Sequence, residues 1–314
     1  MLTRRHIRIK VMQSVYSFSL GKERKLDEEL KFFKQSVSQS FDLYLLLLAL
    51  LKALKNFLDE QCQTYELQHI KRNQNYFELK KLSQNRILAF INSHTELENQ
   101  LKNKKYIRWD LEFVFLKDLI HQIIASQKFK DYFSLEEPSI NEEQQFIVSC
   151  FKDHIAPSAY LFNYLEDHQL TWIDDLPVVN TFLLKVLKQL NINQPKTLVF
   201  PKPIENLEDL EYGVALLEKT LGSDAQLAEE LDGKTPNWET DRIAQLDQVI
   251  LKIAIAELLF FPSIPERVTI NEYLEIAKDY STPSSNNFIN GVLDKLVREY
   301  KANKRMIKTG RGLL

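Results

Sequence analysis

The sequence predicts an all-α protein. Apolar residues recur at spacings of three and four through eleven segments, and no run alternates with period two for any length. Proline, glycine and asparagine sit in the gaps between those segments, as in NINQPKTLVFPKP at 191–203 and FPSIP at 261–265.

The first helix is expected over 3–20. On a 100° wheel Ile7, Val11, Val15 and Phe18 share one arc, Arg5, Arg8 and Tyr16 the adjoining arc, with Gln13 beyond. The second, 26–60, holds the apolar run LYLLLLALL from Leu43 to Leu51. That run stops at Lys52, short of the roughly 18 residues a membrane span needs, and is expected to be buried. Helices follow at 65–102, 108–130, 141–168 and 176–191, with polar stretches such as KRNQNYFELKKLSQNR at 71–86 as their solvent faces. TLVF at 197–200 is a short strand candidate, too small to make a sheet alone.

The C-terminal helices are expected at 207–220, 224–232, 240–261, 269–280 and 285–304. Thr269 to Glu272, TINE, has the spacing of a capping box and is expected to start its helix, and Ser284 to cap the last one. Phe288, Val292 and Leu296, with Ile289 and Leu293, form the inward stripe of that last helix. Gly291 lies on its flank. A glycine inside a helix costs roughly 1 kcal/mol relative to alanine, so its presence suggests a close approach, expected from the first helix.

These elements suggest a first helix at 1–20, a helical insertion at 21–200, a compact bundle at 207–304 and a basic tail at 305–314. Within the insertion, 146–172 aligns without a gap to 212–238. The pairs include Val148 with Val214, Ala159 with Ala225, Leu161 with Leu227, Leu165 with Leu231 and Trp172 with Trp238. A degenerate repeat covering 146–190 is the reading of that match.

The formal charge of −2 conceals an asymmetry: residues 1–10 carry +4, residues 295–314 carry +6, and the segment between carries −12. Two basic ends on an acidic body fit a local anionic partner. The first helix has the groups for single-stranded RNA, since guanidiniums can hold phosphates, Tyr16 can stack a base and Gln13 can bond a base edge. Enzymatic chemistry is not expected, because the chain has no Gly-rich phosphate loop, no GxSxG and no histidine cluster. Cys150 and His154 share a helix face without a second pair at ligand spacing, so no metal or other cofactor is expected. No apolar stretch follows the basic N-terminus as a signal peptide would, and a cytoplasmic location is expected.

RRHIRIKVMQSVYSF at 4–18, DQVILKIAIAELLF at 247–260 and IPERVTINEYLEIAKDYSTPSSNNFINGVLDK at 264–295 together resemble the bacterial NusB family of transcription antitermination factors. The resemblance is firm over roughly 238–298, fair over 4–18 and 207–237, and absent from most of 21–200. It implies an all-α protein that binds boxA-like single-stranded RNA with the small-subunit ribosomal protein NusE and serves the transcription elongation complex. By residue match it places RNA contacts on Arg4, Arg5, Arg8, Gln13 and Tyr16, and on Ser285, Asn287, Phe288 and Asn290 of the last helix. It places contacts to the ribosomal protein on Asp247 and Glu257. The chain departs from the family at Ser284, where an acid is frequent, at Asn287, where a lysine is, and at Ala256, where a tyrosine is common. The alternative is a helical protein–protein scaffold that keeps the fold without binding RNA. An rRNA-maturation enzyme would need a site that the sequence does not contain.

Overall fold

The computed structural model describes residues 1–21, 25–69, 73–232 and 245–309. In chain order the helices are α1 (Arg4–Leu20), α2 (Leu26–Leu67), α3 (Gln74–Ser83), α4 (Arg86–Asn92), α5 (Thr95–Leu101), α6 (Phe113–Ala125), α7 (Gln127–Phe133) and α8 (Ile140–Cys150). They continue as α9 (Ala159–His168), α10 (Thr171–Gln189), α11 (Leu207–Gly222), α12 (Asp224–Leu231), α13 (Gln245–Phe260), α14 (Glu266–Tyr280) and α15 (Pro283–Ala302). There is no strand among the described residues, and TLVF instead forms the end of a 3-10 turn followed by extended backbone at Leu198. No described helix is long and apolar enough to cross a membrane.

The chain divides into two compact units, one of Met1 with 38–203 and one of 2–37 with 204–314. In the first, the run from Leu43 to Leu51 is buried throughout, as its composition requires. Trp109 Nε1 donates to the Leu46 carbonyl at 2.9 Å inside that core. Several of the longer expected helices are broken, each by a polar cap. Asn73 accepts from the Asn75 N–H to start α3, Asn85 from Ile87 and Leu88 to start α4, and His94 from Leu97 to start α5. Ser126 likewise separates α7 from α6, and Ser158 opens α9 after a π-helical turn at Phe151–Ile155. Trp172, expected in a turn, lies in the first turn of α10 with its ring N–H on the Gln39 carbonyl at 2.8 Å.

Across the aligned repeat, burial runs in parallel. Leu161 and Leu227 are both buried, as are Leu165 and Leu231, Cys150 and Leu216, Phe151 and Leu217, while Ala159 and Ala225 are both exposed. In one unit α8 and α9 pack on α10; in the other α11 and α12 pack on α13. The same register sets Glu143 against Asp209, and each carboxylate pairs with an arginine at the first position of a helix, Arg86 of α4 and Arg4 of α1. Trp238 lies outside the described residues.

In the second unit α1 packs on α11 and α13 and touches α14, and the first part of α2 sends Phe33 into the same core. Residues 26–37, which the sequence groups with the insertion, belong here. The close helix approach occurs at Gly213 of α11, where a Cβ would stand 2.4 Å from Phe33 Cζ and 2.6 Å from Ile7 Cγ2. Gly291 does not mediate one. A Cβ there would meet nothing within 4 Å, and α15 packs on α13 and α14.

Two expected caps also move. Helix α14 begins one turn earlier than TINE, after Pro265, leaving Thr269 buried inside it. Helix α15 is capped by Thr282, with Pro283 at its first position, rather than by Ser284. The basic tail docks in part: Lys308 Nζ donates to the Phe261 carbonyl at 3.0 Å and the Glu257 carbonyl at 3.3 Å at the C-terminus of α13.

The two glycines should respond oppositely to substitution. Gly213→Ala should lower stability by about 1–3 kcal/mol, because the buried Phe33 and Ile7 must yield. Gly291→Ala should raise it by up to about 1 kcal/mol through helix propensity. Thermal melts of the two variants check this.

Candidate functional site

The arginines of α1 enter the fold as one side of a layered set of ion pairs. Outermost, Arg4 Nε meets Asp209 Oδ1 of α11 at 2.6 Å. Next, Arg5 engages Glu272 of α14 through Nε and Nη2, both at 2.9 Å, with Glu275 3.9 Å away. Innermost, Arg8 Nε and Nη2 donate to the two carboxylate oxygens of Glu257 of α13 at 2.8 and 2.9 Å. The side chains of Arg4 and Arg5 remain 47% and 41% exposed. Arg8 is 2% exposed and Glu257 0%.

Glu257 is a hub. Besides Arg8 it accepts hydrogen bonds from Thr269 Oγ1 at 2.7 Å, from the Tyr273 hydroxyl at 3.1 Å and from the Tyr212 hydroxyl. The Arg8 guanidinium lies 5.4 Å from the Tyr212 ring centroid and 5.9 Å from that of Tyr273. Burial works against the Arg8 charge, but the hydrogen bonds and charge of Glu257 outweigh it and hold its pKa above the ordinary arginine value. Burial and the Glu257 charge raise both tyrosines well above theirs. The cluster therefore holds one fixed charge pair, with the Glu257 carboxylate of α13 saturated by donors from three helices, α1, α11 and α14.

This geometry corrects two expectations. Arg8 does not share the partly exposed setting of Arg5 and Tyr16, because it is buried against Glu257 between α1, α11, α13 and α14. Glu257 and Asp247, expected at a partner surface, are both buried within the unit. Asp247 is 4% exposed and accepts the Ser281 hydroxyl, and Ala256 beside the hub is also buried. Thr269, and Tyr212, which the sequence did not single out, complete the hub. Only the TINE motif hinted at Thr269, and it pointed to a cap.

The other expected residues occupy the surface of the same unit unevenly. Gln13 and Tyr16 are half-buried on α1. On α15 Asn287 is exposed and Phe288 and Asn290 are half-buried, whereas Ser285 is buried in the cap, its hydroxyl 2.8 Å from that of Thr282. Helices α13 and α14 are the shared neighbours of α1 and α15. No group of His, Cys, Asp and Glu among the described residues could hold a metal ion.

A model of the NusB family matches residues 179–298, which covers part of α10, α11 to α14 and most of α15, and therefore Tyr212, Glu257, Thr269 and Tyr273 of the hub. Over 94 residues the chain is 36% identical to the transcription antitermination protein NusB of Natranaerobius thermophilus, covering 68% of that protein and 30% of this chain. The chain belongs to the NusB family. It is also 39% identical over 104 residues to NusB of Salinibacter ruber and 44% identical over 91 residues to NusB of Chloroherpeton thalassium. Those two matches span 65% and 41% of the relatives' own length, and 33% and 29% of this chain, so most of residues 38–203 lies outside the NusB match. No solved structure matches the chain.

The Arg5–Glu272 pair carries a pH signature. Its hydrogen bonds from Arg5 hold the Glu272 carboxyl below the usual range although desolvation opposes them. As pH falls, the unfolded chain takes up this proton first, so the pair stabilises the fold above about pH 4.3 and loses that contribution as pH drops through the lower folded value. Replacing Glu272 with Gln should lower the melting temperature at about pH 6, and the difference from the parent should shrink as pH falls through the carboxylate range. Melts of both proteins across that range measure the difference.

Proposed function

We propose that this protein is a non-enzymatic, RNA-binding transcription antitermination factor. It acts on boxA-type RNA of ribosomal RNA operons, together with the ribosomal protein NusE and the transcription elongation complex. The observation that carries the reading is the graded exposure of the three arginines. Arg8 is locked inside by Glu257, and that lock sets Arg4 and Arg5, one turn earlier, at the surface. Their carboxylate partners are partly solvated, and such pairs are worth only about 0–1 kcal/mol, so a phosphate can replace them at little cost. Tyr16 and Gln13 on α1, and Asn287, Phe288 and Asn290 on α15, supply the aromatic and amide groups that unstacked bases need. The names of the relatives, transcription antitermination protein NusB, support the same reading. Asp247 and Glu257 would serve the ribosomal-protein surface from within, by fixing α13 rather than by touching the partner.

The carboxylates already seated on Arg4 and Arg5 favour one other reading, a scaffold that keeps the fold and binds proteins alone. Arg4→Ala with Arg5→Ala separates the two. The double variant should keep its fold and lose affinity for boxA-like RNA in a gel-shift assay. The slope of log K against log salt should become shallower by about 1.4, for two phosphate contacts on a single strand. Unchanged RNA binding in this variant, or no RNA binding by the parent with or without NusE, would favour the scaffold.

A further inference from the structure

Outside the NusB match, α2, α3 and α6 enclose a cleft of about 370 Å³, within the range of small-molecule sites. One wall is a stripe on α2 in which Phe57, Gln61 and Tyr65 recur every four residues, each half-buried, giving aromatic, amide and aromatic groups along one face. The facing wall is α6, whose Lys117 and His121 are again one turn apart and exposed. Asn75 of α3 adds a second amide. Among the described residues the side chains of Lys117, His121, Gln61 and Asn75 meet no hydrogen-bond or ion-pair partner. The acid at the rim, Glu78, is engaged by Gln74 Nε2 at 3.1 Å. The larger cleft of the same unit differs, since its His94 is bonded at both ring nitrogens, to the Leu97 N–H and the Pro195 carbonyl.

Two rings in line can stack a base, amides between and beside them can bond its edge, and a cation across the gap can hold a phosphate. These are the parts of a nucleotide site on a single strand. We propose that this cleft binds one nucleotide of a single-stranded RNA, so that residues 38–203 contribute an RNA contact of their own. The proposal rests on the reading of the chain as RNA-binding, and adds to it a site in the part that the family does not share. A small concave site with one cation and two rings suits a single nucleotide better than a protein surface, which needs more area.

The test uses the full-length protein and a short single-stranded RNA, with Tyr65→Ala and Lys117→Ala separately and together, beside the Arg4/Arg5 double variant. Tyr65→Ala should lower affinity about tenfold, as loss of one stacked base does. Lys117→Ala should make the salt slope shallower by about 0.7, for one phosphate contact. Because Lys117 is exposed, its variant should melt like the parent, which separates binding from folding. Parental affinity in the cleft variants, with loss in the Arg4/Arg5 variant, would overturn the cleft and leave the proposed function standing. Parental affinity in both sets would overturn both. Binding of uridine 5′-monophosphate that Tyr65→Ala abolishes, with RNA affinity unchanged, would make this a free-nucleotide pocket and overturn the RNA contact. Loss of NusE capture alone would make it a protein site and overturn the proposal equally.

Discussion

The pair of Arg8 and Glu257 is the constraint around which the described helices of the second unit are arranged. A buried ion pair is a poor source of net stability, because removing two charges from water costs about what their attraction returns. What it enforces is geometry. The fork of Arg8 fits one carboxylate in one orientation, and the remaining lone pairs of that carboxylate are taken by Thr269, Tyr273 and Tyr212. Sliding α1 by one residue would strand a charge in the core. Helix α1 is therefore fixed in rotation and in register against α13 and α14, and the close passage of Ile7 and Phe33 over Gly213 requires the same register. Surface arginines on a helix held this firmly are positioned before a ligand arrives.

Much of this was legible in the sequence, and the misreadings share a cause. Helix periodicity, the buried run at Leu43 to Leu51 and the family motifs are local signals, and each appears in the structure. The fate of Arg8 is not local. A wheel places it off the apolar arc, but α1 is wrapped by several helices, and whether a charge may be buried depends on a carboxylate 249 residues away. Gly213 is invisible for the same reason, since its neighbours Ile7 and Phe33 lie far off in the chain. At Thr269 and Glu272 the spacing of a capping box is real but its use differs, the threonine serving Glu257 and the glutamate Arg5. Short polar caps such as Asn85 and Ser126 were present to be read, yet lay within longer periodic stretches that masked them.

The unmatched residues are not a loose appendage. Residues 38–203, most of them outside the match, carry an extensive apolar core running from Leu43 to Leu198, and segments whose burial parallels that of α11 and α12. The parallel extends to an arginine at a helix start bound by an acid in the register-matched position, Arg86 with Glu143 and Arg4 with Asp209. The resemblance ends at the hub, since Tyr212 and Gly213 are matched by Phe146 and Ile147, which can neither bond a buried carboxylate nor admit a helix as closely. Whatever this unit does must use other side chains, and its cleft between α2 and α6 offers a different set.

Arg8 acts through the fold, by its pairing with Glu257, rather than on a ligand. A double-mutant cycle with Arg8→Met and Glu257→Met, read by denaturant unfolding and by RNA affinity on the same samples, tests this directly. Each single variant strands a buried group and should lose about 3–5 kcal/mol of stability, while the double variant should recover much of that loss, and RNA affinity should follow stability through the cycle. An Arg8→Met protein that unfolds like the parent but no longer binds RNA would contradict the account, because it would put the guanidinium on the ligand and not in the core.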